Sequence, residues 1–293
     1  APSLDAATGS AITVGVVGKM PKGAPAIKAS GKPEGYSLAV DRAARKSATV
    51  VITGDDGRGA IFGAGRLLRS LHMGKDTLTV NADLKITDAP VIPMRGHQLG
   101  YRDTANAYDA WDLAIYEQYI RELAIFGVNA IELIPSTDPQ EKDGPLLQNT
   151  MFDMTVKLSK LISEYGLDVW LWLPLDEDVT QYGMPEKALN VRRALFKACP
   201  AIDHIMIPGG DPGDTEPQVL MPFLEKLAHE LHAAHPEAGL WVSNQGFEHE
   251  QNDVFFKYLE EKKPAWLKGV VFGPWAKITI QEMRERTPKM FPI

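Results

Sequence analysis

The 293-residue sequence predicts an α/β fold: a small α+β domain over 1–90, then a (β/α)8-type TIM barrel over 91–293. Three observations predict it. Beyond the proline-marked stretch 88–93, short apolar runs alternate with amphipathic stretches of helical period, which implies parallel strands joined by right-handed crossovers. Those runs are continuously apolar, as in strands covered on both faces. Residues 1–90 instead carry β-branched, alternating runs around one glycine-rich helix start.

In the first domain, strands are predicted at 12–17, 35–40 and 48–53. A glycine-rich turn and helix follow over 54–71, with closing strand material at 77–80 and 82–86. Gly57, Gly59, Gly63 and Gly65 match neither a P-loop nor a dinucleotide fingerprint. Small residues that let a helix approach a sheet account for them.

In the second domain, strands are predicted at 94–101, 129–134, 168–174, 203–207, 240–243 and 269–272. Helices are predicted at 110–126, 151–165, 185–198, 217–234, 252–261 and 278–286. Trp111, Leu113, Ile115, Tyr119, Leu123 and Phe126 are assigned to the apolar face of the first helix, with Gly127 as its C-terminal cap. Pro217 opens the fourth helix, where a missing N–H costs nothing.

Only six βα units are legible, whereas a closed barrel needs eight strands. The expectation is therefore the N-terminal part of a longer protein, apparently truncated after about six units, with 291–293 starting a seventh strand. An open or doubly wound sheet is the alternative. An unclosed barrel exposes edges, so an oligomer or a missing C-terminal segment is expected to complete it.

Composition narrows the function classes. The chain is 44% hydrophobic and 24% charged, as globular proteins are. A net charge of −7 argues against nucleic acid, which needs a basic face. No apolar run is long enough for a membrane span. The single cysteine, Cys199, excludes an internal disulfide and reads as a small buried residue. No metal-ligand spacing appears, and no cofactor is expected. His229, His232 and His235 have helical spacing but no second cluster, so a solvated face is the favoured reading. The start Ala1-Pro2-Ser3, without an initiator Met, resembles a mature end left by signal removal and suggests an exported protein.

The chemistry-bearing residues cluster at strand ends, where barrels display reacting groups. The run Ile205-Met206-Ile207-Pro208 ends in Gly209-Gly210-Asp211-Pro212-Gly213-Asp214-Thr215-Glu216. Asp211 is the candidate general acid, with Asp214 near enough in sequence to raise its pKa. Glu216 fits equally an early-helix charge. Asp176-Glu177-Asp178, after the third strand, reads as a solvated loop. Glu132 falls within the second strand and needs a partner such as Arg95 if it faces inward. Arg95, His97, Tyr101, Arg102, Glu132, Trp172, Asn244, Gln245 and Trp275 are the candidate substrate-binding residues. Aromatic rings stack on sugar faces, and amides hydrogen-bond hydroxyls. Trp275, after Gly273-Pro274, is the foremost stacking candidate. A carbohydrate substrate follows from this set.

The run Glu34-Gly35-Tyr36-Ser37-Leu38, followed by Val51-Ile52-Thr53-Gly54-Asp55-Asp56-Gly57-Arg58-Gly59-Ala60-Ile61-Phe62-Gly63-Ala64-Gly65-Arg66-Leu67-Leu68, resembles the small domain that precedes the barrel in β-hexosaminidases and α-glucuronidases. Pro93-Met94-Arg95-Gly96-His97-Gln98 is similar to the start of their barrel. The resemblance implies a glycoside hydrolase whose general acid follows the fourth barrel strand, the position of Asp211. Two departures stand out. Hexosaminidases carry an adjacent Asp-Glu pair where this chain has Gly210-Asp211-Pro212. α-Glucuronidases carry glutamate there and draw a base from later strands, but no carboxylate follows the sixth strand here before Glu282. Hydrolysis of a poly- or oligosaccharide is the expected function. The alternatives are an α-glucuronidase-type inverting enzyme, with Arg95 or Arg102 on a uronate, and a non-catalytic glycan-binding module on the same scaffold.

Overall fold

The computed structural model describes residues 3–102, 111–142 and 144–293. Asp103, noted at the first strand end, and the predicted helix start at 110 lie outside the described residues. The chain divides into two compact units: Ala1–His97 with Glu117–Ala130 and Tyr165–Leu167, and the remainder.

The first unit holds a four-stranded sheet of order β1-β3-β2-β6, with β1 at Ala11–Val16, β2 at Tyr36–Asp41, β3 at Thr49–Gly54 and β6 at Lys85–Asp88. β1 runs parallel to β3; β2 is antiparallel to both β3 and β6. One helix, α1 (Gly57–Leu68), follows β3 directly. Its N-cap is Asp56, whose Oδ1 accepts from Gly59 N–H at 2.8 Å, satisfying one orphan donor of the first turn. Phe62 and Leu67 of α1 pack on Tyr36, Leu38, Val50 and Ile52 to form the core.

The α1 glycines do what close packing requires. A Cβ at Gly59 would fall on the Gly35 carbonyl oxygen, and one at Gly65 on that of Ile125. Alanine gains about 1 kcal/mol over glycine in a helix interior, but a clash with fixed backbone costs about 1–3 kcal/mol or more. Gly59→Ala should therefore lower stability, read as a lower midpoint of urea unfolding; an unchanged or higher midpoint contradicts the packing described.

Expectations differ from the structure at two places. Residues 77–80 do not close the sheet. Instead Thr77–Thr79 (β5) pairs antiparallel with His72–Gly74 (β4) in a separate hairpin. The helix after the first barrel strand, α2 at Leu113–Ile125, buries Tyr116, Ile120 and Ala124, a strict i, i+4, i+8 stripe. Leu113, Ile115 and Phe126 are exposed. Phe126 is instead covered by the Arg69 guanidinium, 4.9 Å from its ring centre.

Glu34, in a left-handed conformation (φ 57°), gathers this unit's main polar network. It accepts from Arg95 Nη2 (2.6 Å), Arg58 Nη1 (3.1 Å) and Asn129 Nδ2 (3.0 Å). Burial pushes its carboxyl up, but these three donors outweigh it and leave Glu34 below the usual range.

In the second unit six strands lie in chain order: β7 (Gly96–Gly100), β8 (Ala130–Ile134), β9 (Asp168–Trp172), β10 (His204–Ile207), β11 (Gly239–Ser243) and β12 (Leu267–Val271). The pairs from β9 to β12 are parallel. Helices α3 (Met151–Glu164), α4 (Met184–Ala198), α5 (Pro217–Ala234) and α6 (His249–Lys262) separate the later strands, and α7 (Ile280–Arg286) follows β12. This is the arrangement of a partial TIM-type barrel, with β7 and β12 at the two ends of the order.

Side-chain alternation separates the two faces of the sheet. Ile131, Leu133, Val169, Leu171, Ile205, Ile207, Leu240 and Val242 are almost fully buried and form the helix-covered face. Glu132, Trp170, Trp172, His204, Met206, Trp241 and Ser243 occupy the inner face. There the Trp170 and His204 rings lie 4.4 Å apart, and Trp241 Nε1 donates to His204 Nδ1 at 3.2 Å. A Cβ at Gly269 would overlap the Trp241 indole, so only glycine fits beneath it. The chain's last residues run beside β12: Val270 N–H donates to Pro292 O at 3.0 Å, and Phe291 is buried. Among the described residues no helix is long and apolar enough to cross a membrane.

Candidate functional site

Four strand ends bring polar groups together. After β10, Gly209 takes φ 61° where a Cβ would meet the Ser243 and Gln245 carbonyl oxygens. The turn stays close to the β11 end because that position is glycine. Gly210 N–H donates to Gln245 O at 2.9 Å. The half-buried Asp211 then receives a hydrogen bond on Oδ2 from the Gln245 Nε2 amide. Two sequence candidates, Asp211 and Gln245, are thus brought into direct contact.

Asp214 is placed differently from the expectation. It is exposed and left-handed (φ 47°), and its N–H closes the turn onto Gly210 O at 2.7 Å. The carboxylate that senses Asp211 is Asp176, at the β9 end. Its carboxyl is raised, first by partial loss of water, then by the charge of Glu177, with Asp211 and Glu141 adding and Arg192 opposing.

The Asp176-Glu177-Asp178 run is therefore more than a solvated loop. Arg192, on the apolar side of α4, is buried. It holds both Glu177 oxygens at 2.9 Å and donates to Pro174 O at 2.6 Å and Ala188 O at 3.0 Å. Burial raises Glu177, but the Arg192 hydrogen bonds and charge outweigh it and bring its carboxyl below the usual range. The pair clamps the loop that presents Asp176. The signal was in the sequence: an arginine among Ala188, Leu189, Leu195 and Phe196 on one helix stripe needs a buried partner.

Glu132 pairs with Gln98, whose Nε2 donates to Oε2 at 2.7 Å. The expected Arg95 partnership is not formed. Arg95 spends its guanidinium on Glu34, Gly127 O (2.7 Å), Ile92 O (2.7 Å) and Pro93 O (3.2 Å) within the first unit. Burial pushes the Glu132 carboxyl up to about 7, with the Gln98 hydrogen bond opposing.

His97 contacts the α2 residue Tyr119, Nε2 to hydroxyl at 3.2 Å. Tyr101 is buried against Tyr116, and its hydroxyl accepts from Asn149 N–H at 3.1 Å. The buried Tyr101 ring offers no free face for stacking. Arg102 follows β7, half-buried. Asn244 is fully buried: its Nδ2 donates to Asn252 Oδ1 (3.1 Å) and its Oδ1 accepts from Gly273 N–H (3.4 Å). It ties loops together instead of facing solvent. Trp172 is half-buried on the inner face. Trp275 is 72% exposed with φ 53°, a strained conformation for a bulky residue. Among the described residues no group of three or more His, Cys, Asp or Glu is arranged to hold a metal ion.

No protein-family model and no curated protein matches the chain. Solved structures do. A mutant Streptomyces plicatus beta-hexosaminidase in complex with product (GlcNAc) superposes with a TM-score of 0.56 at 13% identity, covering 84% of this chain and 61% of that one. CpGH89 from Clostridium perfringens, in complex with GlcNAc-alpha-1,4-galactose, gives 0.49 at 12% identity over 75% of this chain and 34% of that one. An inactive mutant GH20 exo beta-N-acetylglucosaminidase from Vibrio harveyi gives 0.49 at 12% identity, covering 83% and 50%. The likeness to the Streptomyces enzyme is one of fold, and this chain spans about three fifths of that enzyme's length.

Proposed function

We propose that the protein hydrolyses glycosidic bonds of a poly- or oligosaccharide, with Asp211 as the carboxyl that protonates the leaving oxygen. The observation that carries this reading is Asp211 itself: it follows the fourth strand of a partial barrel, is positioned by Gln245, and lies within electrostatic reach of Asp176. Protonation by a positioned carboxyl is the step that glycosidic cleavage needs. The carboxylate within electrostatic reach of Asp211 is Asp176, whereas Asp214 is exposed. Trp275 and Trp172 supply stacking surfaces.

The completed barrel, an exported location and the boundary near residue 90 belong to the same proposal. The uronate alternative is weakened by Arg95, whose donors are already engaged. A glycan-binding module remains the competing class, since cleavage needs more than one carboxylate in place. A panel of aryl glycosides, including an N-acetylglucosaminide and a glucuronide, separates these readings. Release of aglycone from at least one neutral glycoside is the expected result. Calorimetric binding of glycans by a protein inert to the whole panel would favour the binding module.

A further inference from the structure

We propose that the first unit holds a binding site for an anionic sugar residue, in the cavity between the segment 17–32 and the paired strands β2 and β6. The inference stands apart from the hydrolytic reading, because every residue it uses belongs to the first unit.

Helix α1 covers the face of the four-stranded sheet that carries Tyr36, Leu38, Val50 and Ile52. Residues 17–32 cross the other face. Strand alternation points Thr13, Ser37, Val51 and Thr53 to that second face, and all four are buried. Two contacts tie the covering segment down: Thr53 Oγ1 donates to Met20 Sδ at 3.5 Å, and Ser37 Oγ donates to Lys28 O at 2.6 Å. Beside β2 and β6 the cover leaves a cavity of about 330 Å³, at the lower end of the roughly 300–1,000 Å³ of small-molecule sites. Ala26, Ile27 and Lys28 line it from the covering segment. Strand pairing sets Lys85 opposite Ala39 and Thr87 opposite Ser37, so these four side chains leave the sheet on the cavity side.

The lining specifies the ligand. It contains two cations, Lys28 and Lys85, and no carboxylate. Both lysines are exposed, and neither has a carboxylate partner among the described residues. Asp41 is the one carboxylate that alternation places on this face, and its Oδ1 accepts from Ala44 N–H at 3.0 Å. Asp88 is set opposite Tyr36, on the helix side. The segment 19–32 adds Lys19, Lys22 and Lys32 without any Asp or Glu, in a chain of net charge −7. A negative ligand is favoured at such a spot. The hydroxyls add a second requirement. The Ser37 proton is spent on Lys28 O, so Thr87 donates across the 3.0 Å contact between Thr87 Oγ1 and Ser37 Oγ. Thr87 Oγ1 then has lone pairs but no proton left, and takes a donor from the ligand. A negative group for the lysines, a hydroxyl for Thr87 and a C–H body for Ile27 and Ala39 together describe a sugar acid or sugar phosphate. A bare anion brings no apolar body, and a neutral sugar brings no charge.

The test is an amide-resolved NMR titration of the whole chain, at low salt, with glucuronate, glucose 6-phosphate, glucose and inorganic phosphate. At least one of the two sugar anions should shift the amides of Ile27, Lys28, Lys85 and Thr87, and the tighter of them identifies the charged group as carboxylate or phosphate. Glucose and inorganic phosphate should bind about fivefold more weakly or worse. Joint replacement Lys28→Gln and Lys85→Gln, at two exposed positions, should weaken the sugar anion by about fivefold or more. Thr87→Val keeps the side chain's shape and should weaken the sugar anion while leaving inorganic phosphate unchanged. Phosphate or glucose binding as tightly as the sugar anions, shifts confined to the second unit, an unaltered affinity in either variant, or no shift with any probe overturns the proposal. Should the doubly substituted chain lose its fold, Thr87→Val and the map of shifted amides decide the matter.

Discussion

Asp211→Asn should lower kcat on a responsive aryl glycoside by roughly 10²–10⁴, the usual contribution of a positioned general acid. The asparagine amide keeps the side chain's size but has no proton to give. Its carbonyl oxygen can still accept from Gln245 Nε2, the bond that holds the native carboxylate, so fold and ligand affinity should survive. The pattern expected is a fall in kcat with KM changed little. The loss should also shrink for aryl groups that depart without protonation, such as dinitrophenol. A variant with full turnover on a poor leaving group would remove Asp211 from the acid role. Asp214→Asn, at the exposed turn, is the control and should change kcat far less.

The second large effect is on stability. Arg192→Ala leaves the Glu177 carboxylate without the two hydrogen bonds at 2.9 Å and the charge that hold it ionised. It also strips donors from the Pro174 and Ala188 carbonyls. Breaking a buried pair from one side typically costs about 3–5 kcal/mol. The Glu177 side chain keeps 22% exposure, so water can reach it and the lower end of that range is expected. Arg192→Lys keeps a charge but cannot grip two oxygens and two carbonyls at once, and should fall between. The order wild type, Arg192→Lys, Arg192→Ala should appear in urea midpoints. An Arg192→Ala loss of under about 1 kcal/mol would place the pair with ordinary surface bridges. Because the clamp presents Asp176, activity should fall in the same order.

How much of this was legible in the sequence depends on the range of the signal. The alternation of apolar runs and amphipathic helices is local, and the six barrel strands lie where the periodicity puts them. The place of Asp211 at a strand end was legible because a double glycine directly after a strand marks a turn there. Long-range pairing was not legible. Nothing near Arg95 indicates that Glu34 is its partner, or that Glu132 is served by Gln98. Asp214 drew attention through proximity in sequence, yet its left-handed backbone turns it to solvent while Asp176 approaches from another strand. In α2, the mixed spacing of Leu113, Ile115 and Phe126 hid the true stripe of Tyr116, Ile120 and Ala124. Asn244 illustrates a further limit: an amide next to a strand end looks the same in sequence whether it faces a ligand or braces a helix and a neighbouring loop.

That bracing bears on the thermodynamics of recognition. Asn244 joins the β11 end to Asn252 of α6 and to Gly273 after β12, and Asn252 in turn donates to the Phe247 and Glu248 carbonyls. Gln245, and through it Asp211, therefore stands on a loop already ordered before any ligand arrives. A partner meeting a preorganised surface forfeits less conformational entropy on binding. Loosening this hub, as in Asn244→Ala, would show itself as a less favourable entropy of association, with the contacts to the ligand itself unchanged.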